Sequence, residues 1–248
     1  LPELKKKKSF EFFIIKSLIK LTDFTIVLDN YSYKSIKFLS PNIFLVPNPI
    51  SNYAITFYNL NKLKKVKNNI KTICFAGHIL ESKGVYDLIS AVSKIKNVKL
   101  KLFGYIPNQT IHKKICELEK KHKNSRWIEL NGEVTQENLW IEMIKSDLFV
   151  FPSWSEAFPN VILEAMCMEL PIISTNVGAI PEMLNVSDSQ NSCGLTVDPQ
   201  KVKELELSIV NLMSDNKKKV EFIKNAKKRL LSKYSLENVI DSLEKIWE

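Results

Sequence analysis

The sequence predicts an α/β fold in which a parallel β-sheet is covered by helices on both faces. From about residue 72 onward, short runs of β-branched and other apolar residues alternate with amphipathic stretches. Strands that alternate with helices of this length form βαβ units, and their connections place helices on the faces of a parallel sheet. The six glycines lie just after a predicted strand, at a turn, or just before the next strand. Glycine at such places indicates a backbone that bends sharply at the sheet edge. The pattern is therefore typical of a Rossmann-like domain.

The individual elements follow from the same alternation. The strands are expected at residues 72–76, 98–103, 127–130, 147–151, 172–175 and 195–197. The helices are expected at residues 85–95, 110–123, 136–145, 161–168, 201–214, 217–232 and 236–247. Ligands of open parallel sheets bind beyond the carboxyl ends of the strands. We therefore expect a binding cleft at that edge, bordered by Gly77, Gly104 and Gly132, each of which ends a strand.

The residues before this region have a different pattern. A helix at 10–21 and strands at 24–28 and 43–46 are predicted, followed by Pro47-Asn48-Pro49, which suits a domain boundary. The lysine- and asparagine-rich stretch 52–69 predicts a surface excursion. The expected organisation is the end of a preceding domain at 1–50, a linker at 51–71, the main domain at 72–232 and a helix at 233–248 that crosses back. The chain begins at Leu1 without an initiating methionine, which favours a piece of a longer protein.

Composition and charge disfavour several classes of protein. Apolar residues make up 45% of the chain and charged residues 25%, the mix of an ordinary soluble globular protein. The net charge is +9, but the lysines are spread along the chain without a nucleic-acid-binding motif, so nucleic acid is not an expected partner. Solvation of helix faces explains the lysines best, with attraction to anionic phosphates or to a lipid surface as the alternative. The four cysteines show no metal-ligand spacing, which favours reduced thiols in the cytoplasm.

The segment 151–166 carries the strongest chemical signal. A predicted strand ends at Phe151, and a predicted helix begins near Asn160, which can cap it, with Pro159 at the entry. The free amides of a first helical turn, together with the positive end of the helix dipole, form a site for a phosphate group. Glu156 lies in the loop and Glu164 one turn into the helix, on the same face as Asn160. Taken alone, the pair is also open to a structural reading in which Glu156 caps the helix and Glu164 is a surface residue.

This segment resembles the E-x7-E motif of glycosyltransferase family 4, retaining GT-B enzymes that use nucleotide sugars, with Glu156 and Glu164 as its glutamates. Further segments resemble other motifs of that family in the same order along the chain. They are Phe75-Ala76-Gly77-His78 with Lys83-Gly84, Leu102-Phe103-Gly104, Leu130-Asn131-Gly132-Glu133-Val134, Pro171 through Glu182, and Gly194-Leu195. The resemblance covers residues 72–200 and implies the C-terminal, donor-binding domain of a GT-B enzyme, preceded by a remnant of its N-terminal domain.

The resemblance implies how the phosphates and the ribose of a donor are bound. Lys83 and the backbone amides of Asn160 and Val161 would pair with the diphosphate, whose charge grows as the glycosidic bond breaks. Glu164 would accept hydrogen bonds from the ribose hydroxyls. His78 stands where the family usually has an arginine, and histidine has a shorter reach and is only partly charged at neutral pH. A phosphate contact and a structural role therefore both stay open for His78.

The resemblance also implies how the transferred sugar is held. Glu156 would face the sugar together with the backbone of Ala157, Phe158 and Pro159. Many relatives have glycine at two of these three positions, those of Ala157 and Pro159, so a differently shaped sugar pocket is expected. In the family the acceptor attacks from the face of the leaving group, and a phosphate oxygen takes its proton. Glu156 is therefore expected to position the sugar and to stabilise charge.

Other residues bear on the base and on cofactors. Val134 and the Gly132 turn would border the base, by the same resemblance. Trp154 and Phe158 are candidates for stacking on a base, although packing is the favoured reading for aromatic residues in loops. The chain has no Asp-x-Asp pair and no G-x-G-x-x-G run, so neither a bound metal nor a dinucleotide cofactor is expected.

The function that this pattern predicts is transfer of a sugar from a UDP- or GDP-sugar to a saccharide or lipid-linked acceptor, with retention, in bacterial surface polysaccharide synthesis. The alternative is a truncated domain that binds a nucleotide sugar and catalyses nothing by itself. A third reading is an α/β enzyme with another substrate in the same cleft, for which both glutamates would be dispensable. The four lysines at 5–8 and the apolar residues after them allow peripheral contact with the inner face of a membrane. Packing of that segment against a preceding domain is favoured.

Overall fold

The computed structural model describes residues 10–62, 70–122 and 127–247, so the lysines at 5–8 lie outside the described residues. The described residues form a large parallel sheet with flanking helices and a smaller unit that precedes it. The predicted fold class, α/β with a parallel sheet between helices, is confirmed.

The larger sheet is parallel throughout and, within the described ranges, has six strands. These are β3 (Lys71–Ala76), β4 (Val98–Phe103), β5 (Ile128–Gly132), β6 (Leu148–Phe151), β7 (Ile172–Thr175) and β8 (Leu195–Val197). Their order in the sheet is β5-β4-β3-β6-β7-β8. The chain moves outward from β3 to β5, then crosses back to the other side of β3 and moves outward again to β8. The order thus reverses between β3 and β6, and in sheets of this kind ligands bind in the crevice beyond that point.

Burial explains why the strands were readable from the sequence. Every residue of β6 and of β7 is buried, as the central strands of a parallel sheet are when helices cover both faces. Strand β6 is a continuous apolar run, whereas β7 begins with Ile172 and Ile173 and ends with two buried hydroxyl residues, Ser174 and Thr175, that donate to backbone carbonyls. The edge strand β5 is only partly buried and carries Glu129 and Asn131, and its pairing with β4 shifts register near Phe103.

The helices of the larger unit follow the predicted order, with ends that differ by up to three residues. They are α4 (Val85–Val92), α5 (Gln109–His122), α6 (Gln136–Lys145), α7 (Asn160–Cys167), α8 (Ile180–Met183), α9 (Val202–Ser214), α10 (Asn216–Lys233) and α11 (Leu236–Trp247). A 3-10 turn, Glu81–Lys83, precedes α4. The short helix α8 was not predicted, and Pro181 stands in its first turn, where a missing N–H costs nothing.

The front unit is a small layer of its own. It consists of α1 (Phe10–Leu21), β1 (Thr25–Val27), α2 (Asn30–Ile36) and β2 (Ile43–Leu45), with β1 and β2 paired in parallel. Its buried cluster contains only Ile19, Val27, Ile36 and Ile43 among the described residues. Helix α2 was not predicted from the sequence. It begins where the Asp29 side chain accepts a hydrogen bond from the Ser32 amide at 2.9 Å.

The segment 52–69, expected as a surface excursion, contains a helix in its first part that the sequence did not predict. Residues Asn52–Asn61 form helix α3, which begins where the Ser51 side chain caps the Ala54 amide. Ala54 is fully buried, and the rings of Tyr53 and Phe57 pack against Trp140 of α6. One apolar side of a polar helix is enough to hold it on the core, and the asparagines and lysines of the segment obscured that stripe. Residues 63–69 lie outside the described part.

Three contacts fasten the front unit to the larger one. The Ile50 amide donates to the Tyr234 carbonyl at 2.7 Å, where α10 gives way to α11. The Asn30 amide donates to the Glu182 carboxylate at 2.7 Å. The final helix brings the ring of Trp247 edge-on to Phe24, with ring centroids 6.4 Å apart.

Candidate functional site

Two segments meet at the point where the strand order reverses. The first leaves β3 through Gly77 and His78 and ends in the 3-10 turn at Lys83; the second runs from the end of β6 to the start of α7. The Trp154 amide donates to the Ser82 carbonyl at 2.9 Å, which ties the two segments together. The Trp154 indole N–H donates to Asp87 of α4 at 2.7 Å. Trp154 is therefore held through both its backbone and its ring, and it is partly buried at the edge of a cavity.

Two glycines permit this close approach of backbones. Gly84 and Gly178 have φ angles of +70° and +52°, in the left-handed region that favours glycine. A Cβ at Gly84 would lie 2.0 Å from the Pro152 carbonyl oxygen, and one at Gly178 would lie 2.0 Å from the Glu156 carbonyl oxygen. A side chain at either position would displace the segment that carries Glu156, so both glycines are needed for the observed path of its backbone.

Lys83 and Glu156, which are 73 positions apart in the chain, form an ion pair in the structure. The Lys83 Nζ lies 2.6 Å from Glu156 Oε1. The two side chains are 26% and 12% exposed, so solvent screens this pair less than a pair on the open surface. The two residues that the resemblance assigns to the chemistry of the donor are therefore in contact.

Glu164 has a different environment from Glu156, although both flank the start of α7. Its carboxylate accepts a hydrogen bond from the Trp140 indole N–H at 3.1 Å and a longer one from the Gln136 amide group at 3.4 Å. Among the described residues no cation pairs with it. Burial raises the pKa of Glu164, and the two hydrogen bonds oppose that rise only in part. The surface role that the sequence left open for Glu164 therefore does not describe it.

The start of α7 presents free backbone amides as expected, but its capping differs from the prediction. The helix begins at Asn160, and no side chain caps it. Asn160 accepts a hydrogen bond from the Asn48 side chain at 2.9 Å instead, which links α7 to the proline-flanked segment after β2. Asn160 does not cap because it is already helical, and the residue before it, Pro159, occupies the cap position. The Ile162 amide donates to the Pro159 carbonyl at 3.0 Å, which leaves the amides of Asn160 and Val161 in the first turn without an intrahelical acceptor.

The other predicted donor residues differ in how they face the cleft. His78 is exposed, and its ring lies edge-on to Tyr105 with centroids 6.1 Å apart. Val134 is exposed two residues after Gly132, and a Cβ added at Gly132 would meet no atom within 4 Å. A Cβ at Gly104 would lie 2.1 Å from the Gly77 carbonyl oxygen. Its smallness serves the packing of two strand ends.

The sugar-facing residues divide into exposed and buried ones. Ala157 is exposed, and its carbonyl accepts from the Ala179 amide at 2.9 Å. Phe158 and Pro159 are buried, and the Phe158 ring packs edge-on to Tyr234 at 6.0 Å between centroids. The Phe158 ring is thus engaged in packing inside the protein. Val161 is partly buried on α7.

A cavity of about 910 Å³ lies between the front unit and the larger one. Glu156 and Ala157 are the predicted donor residues that line it, while the remaining ones lie outside it. The sequence did not single out Lys233 or Arg229, which also line it. Lys233 donates to Glu182 at 2.6 Å, and the Arg229 guanidinium donates to the Glu182 carbonyl at 2.6 Å. Burial opposes ionisation of Glu182, but the hydrogen bonds from Lys233 and Asn30 hold its pKa below the usual range.

Two further features of the described residues concern metal ions and membranes. They contain no group of three or more histidine, cysteine, aspartate or glutamate side chains arranged to hold a metal ion. They also contain no helix that is both long enough and apolar enough to cross a bilayer.

Comparison with known proteins assigns the family. Residues 59–229 match the family of glycosyl transferases group 1. The chain is 27% identical to the capsular polysaccharide biosynthesis glycosyltransferase CapM of Staphylococcus aureus, an alignment that covers 98% of this chain and 67% of CapM.

Solved structures agree in fold. Sucrose-phosphate synthase from Thermosynechococcus elongatus matches 95% of this chain and 60% of its own with a TM-score of 0.79 and 20% identity. HepE of Anabaena, in complex with UDP, matches 91% of this chain and 64% of its own with a TM-score of 0.76 and 17% identity. The fold is thus that of GT-B glycosyltransferases, and the chain spans about two-thirds of these proteins or less. The family match covers well over half of the sequence, and the chain belongs to the group 1 glycosyl transferases.

Proposed function

We propose that this chain is the donor-binding part of a retaining glycosyltransferase of family 4, which moves a sugar from a nucleotide diphosphate sugar to a saccharide or lipid-linked acceptor. The observation that carries the proposal is the arrangement around α7. A Lys83–Glu156 ion pair lies on one side of the helix start, and the buried carboxylate of Glu164 lies one turn inside the helix. Cation, free amides and carboxylate together match the diphosphate and the ribose of one nucleotide.

The diphosphate would bind between Lys83 and the start of α7. Its negative charge increases as the bond to the sugar breaks, so groups that are already oriented toward it lower the barrier. Lys83 supplies a positive charge from the 3-10 turn, and the first amides of α7 supply oriented dipoles. No metal is required in this scheme, because the cation and the helix start do the work that a divalent ion does elsewhere.

Glu156 would meet the transferred sugar. Because Glu156 pairs with Lys83, the proposed ligand of the diphosphate, it would lie beside the diphosphate, at the junction of sugar and leaving group. The acceptor hydroxyl attacks from the face that the leaving group occupies, a phosphate oxygen takes its proton, and the bond from the anomeric carbon to the diphosphate breaks. Glu156 stabilises the positive charge that develops on the sugar ring, and the configuration at the anomeric carbon is retained.

The donor and the acceptor are proposed from related proteins. The UDP bound to the Anabaena structure supports a UDP- or GDP-sugar as donor. The name of the Staphylococcus relative, a capsular polysaccharide biosynthesis glycosyltransferase, supports a role in bacterial surface polysaccharide synthesis. We propose that this role is performed at the inner face of the membrane. Peripheral contact of the front unit with that membrane belongs to the same proposal, since α1 exposes Phe13, Leu18 and Leu21.

A second candidate function is nucleotide-sugar binding without catalysis by this chain alone. It is favoured by the share of the relatives' length that the chain spans, 67% of CapM and 60% of the synthase. The two candidates have the same donor site, and they differ in whether sugar transfer follows binding.

Calorimetric titration with UDP, GDP and their sugars, in the presence of EDTA, tests the donor site. We expect one nucleotide to bind, and Lys83→Ala and Glu164→Ala each to weaken it by about tenfold or more, because each removes a charged partner. Lys99→Ala is the matched control, because Lys99 also forms an ion pair but its partner, Glu129, lies on the edge strand β5. Absence of binding to the wild-type chain, or equal affinities for all variants, would contradict the proposal.

Release of the free nucleotide separates the two candidates. The chain is incubated with the donor that binds and with a mixture of saccharide and lipid-linked acceptors, and nucleotide release is measured by coupled assay. Acceptor-dependent release indicates transfer by this chain. Tight binding without release indicates the binding function alone.

A further inference from the structure

We propose that Trp140 is a positioning residue for nucleotide binding: its buried indole N–H holds the Glu164 carboxylate in the orientation that receives the ribose hydroxyls. The inference rests on the proposed function, because it concerns the carboxylate that this function assigns to the ribose. It assigns a role to a residue on another helix, 24 positions earlier in the chain.

The geometry of Trp140 is that of a fixed donor. It lies on α6 and is 1% exposed, and its indole nitrogen is 3.1 Å from Glu164 Oε2. Two rings of α3 lie against it, Tyr53 at 5.7 Å and Phe57 at 5.3 Å between centroids. A buried indole N–H needs an acceptor, and a ring held by aromatic neighbours cannot follow a carboxylate that rotates away. The bond therefore restrains Glu164 more than it restrains Trp140.

The two hydrogen bonds to Glu164 are not equivalent. The Gln136 side chain is exposed and its nitrogen is 3.4 Å from Glu164 Oε1, near the limit of a hydrogen bond. Trp140 is buried and closer, and it acts on the other oxygen, Oε2. An ionised carboxylate has about four acceptor positions on its two oxygens. The Trp140 bond fixes which of them stay open, and two open positions are what a ribose with vicinal hydroxyls requires.

The surroundings of Glu164 make this donor important for charge as well as for orientation. Burial favours the protonated carboxyl, and the Trp140 bond favours the ionised form that accepts from a hydroxyl. The neighbouring groups cannot replace it. Burial raises the pKa of Cys167 to about 12, so it stays a neutral thiol, and Glu169 pairs with Lys227 at the far end of α7. On α6, Glu137 accepts from the Tyr53 hydroxyl.

The experiment is a double-mutant cycle on nucleotide affinity. Trp140→Phe, Glu164→Gln and the double variant are titrated with UDP and GDP between pH 5 and pH 8. Trp127→Phe is the matched control, because Trp127 is equally buried but lies at the start of β5, with its indole toward the Glu119 carbonyl.

We expect Trp140→Phe to weaken the affinity for the preferred nucleotide by about tenfold at pH 7.5. The loss of affinity on the acid side should begin at a higher pH than in the wild type, because a carboxylate without its donor is protonated more easily. Trp127→Phe should stay within twofold. In the Glu164→Gln background the Trp140 substitution should add less than twofold, since the two residues act as one unit.

The possible failures are distinct. If the wild type binds neither nucleotide, the proposed function itself is wrong, and the inference is wrong with it. If Glu164→Gln weakens binding while Trp140→Phe behaves like Trp127→Phe, or if the effects of the pair are additive, the inference is overturned and the proposed function stands.

A measurement on the wild type covers the case in which Trp140→Phe does not fold. In ¹⁵N-labelled protein, one indole N–H resonance should titrate with pH, lose that titration in Glu164→Gln, and shift when the nucleotide is added. A spectrum in which no indole resonance does all three would overturn the inference.

Discussion

The two glutamates that flank the start of α7 are held by opposite means. Glu156 is bound to a cation, Lys83, at 2.6 Å. Glu164 is buried among neutral donors, and its burial raises its pKa. The first arrangement depends on a flexible lysine that can exchange its partner for a phosphate, whereas the second depends on a ring that cannot move. In the proposed donor site, the end assigned to the sugar is thus adaptable, and the end assigned to the ribose is formed in advance.

The largest effect is expected from a substitution that displaces the backbone at Glu156. Gly178→Val places a side chain where the Glu156 carbonyl lies 2.0 Å away, at a φ angle of +52°. We expect a loss of about 3 kcal/mol or more in the free energy of unfolding, measured by urea denaturation.

Gly132→Ala is the control for that substitution. Its φ angle is +67°, but a Cβ there meets no atom within 4 Å, so only the conformational cost remains, about 1 kcal/mol. Equal losses for the two variants would mean that the contact between residues 178 and 156 does not hold the loop.

Substitution by glutamine should affect nucleotide affinity differently at the two glutamates. Glu164→Gln removes the charge that accepts from the ribose and should weaken UDP or GDP binding by about tenfold or more. Glu156→Gln frees Lys83 for the diphosphate and should leave affinity unchanged or raise it by about two- to fivefold. Calorimetry measures both. Parallel losses in the two variants would show that Glu156 and Glu164 do not have separate ligand partners.

The raised pKa of Glu164 predicts a trade of stability for binding. A carboxyl whose pKa is higher in the folded than in the unfolded state binds more protons when folded, so its charge destabilises the fold above that raised pKa. The penalty is relieved as the pH falls through the raised pKa toward the ordinary value of 4.5. Glu164→Gln should therefore stabilise the protein at pH 7 to 8, by about 1 kcal/mol, and the gain should vanish near pH 4.

Glu182→Gln is the contrasting variant for that measurement. The pKa of Glu182 is lowered, so its contribution to stability is present above its ordinary pKa and is lost as the pH falls through the lower, folded value. The substitution should thus destabilise the protein at neutral pH. Urea denaturation of both variants as a function of pH measures the two free energies of unfolding. If Glu164→Gln destabilises the protein at pH 7 to 8, burial of the ionised Glu164 is not the cost to stability that its raised pKa implies.

The smallest effect is expected at the start of α7. Asn48→Ala removes the exposed hydrogen bond to Asn160, at 2.9 Å, and should cost about 0.5 kcal/mol in the free energy of unfolding. Nucleotide affinity should stay within twofold, because the amides of the first turn are unaffected. A large change in affinity would mean that Asn48 helps to set the phosphate site.

The main sheet could be predicted because each strand is marked by its own residues and by the turn that follows it. Strand β6 is a continuous apolar run, β7 combines isoleucines with β-branched Thr175, and glycines mark the turns that follow β3, β4 and β5. Helix α3 was missed because a single buried alanine and two aromatic rings hold it, and those lie among asparagines. The signal that would have found it is Ser51, a capping residue directly before the helix.

The site could be predicted in its residues but not in its contacts. The motif placed Glu156 and Lys83 in the site, but their pairing depends on two loops that meet only once β3 and β6 are adjacent. Trp140 stood inside a predicted helix as one more apolar residue. That its indole points to Glu164 follows from the packing of both α6 and α7 against α3, which no periodicity reports.

The bond between the Ile50 amide and the Tyr234 carbonyl has a consequence for how the molecule can be assembled. The chain passes this point where it enters the larger unit and again just before its last helix, α11, so the stretch between the two residues is closed by one main-chain contact. Segments with adjacent ends can be exchanged between proteins or inserted into them without stretching the connection. The part of the larger unit between residues 50 and 234 therefore has the geometry of a segment that can be transferred as a whole.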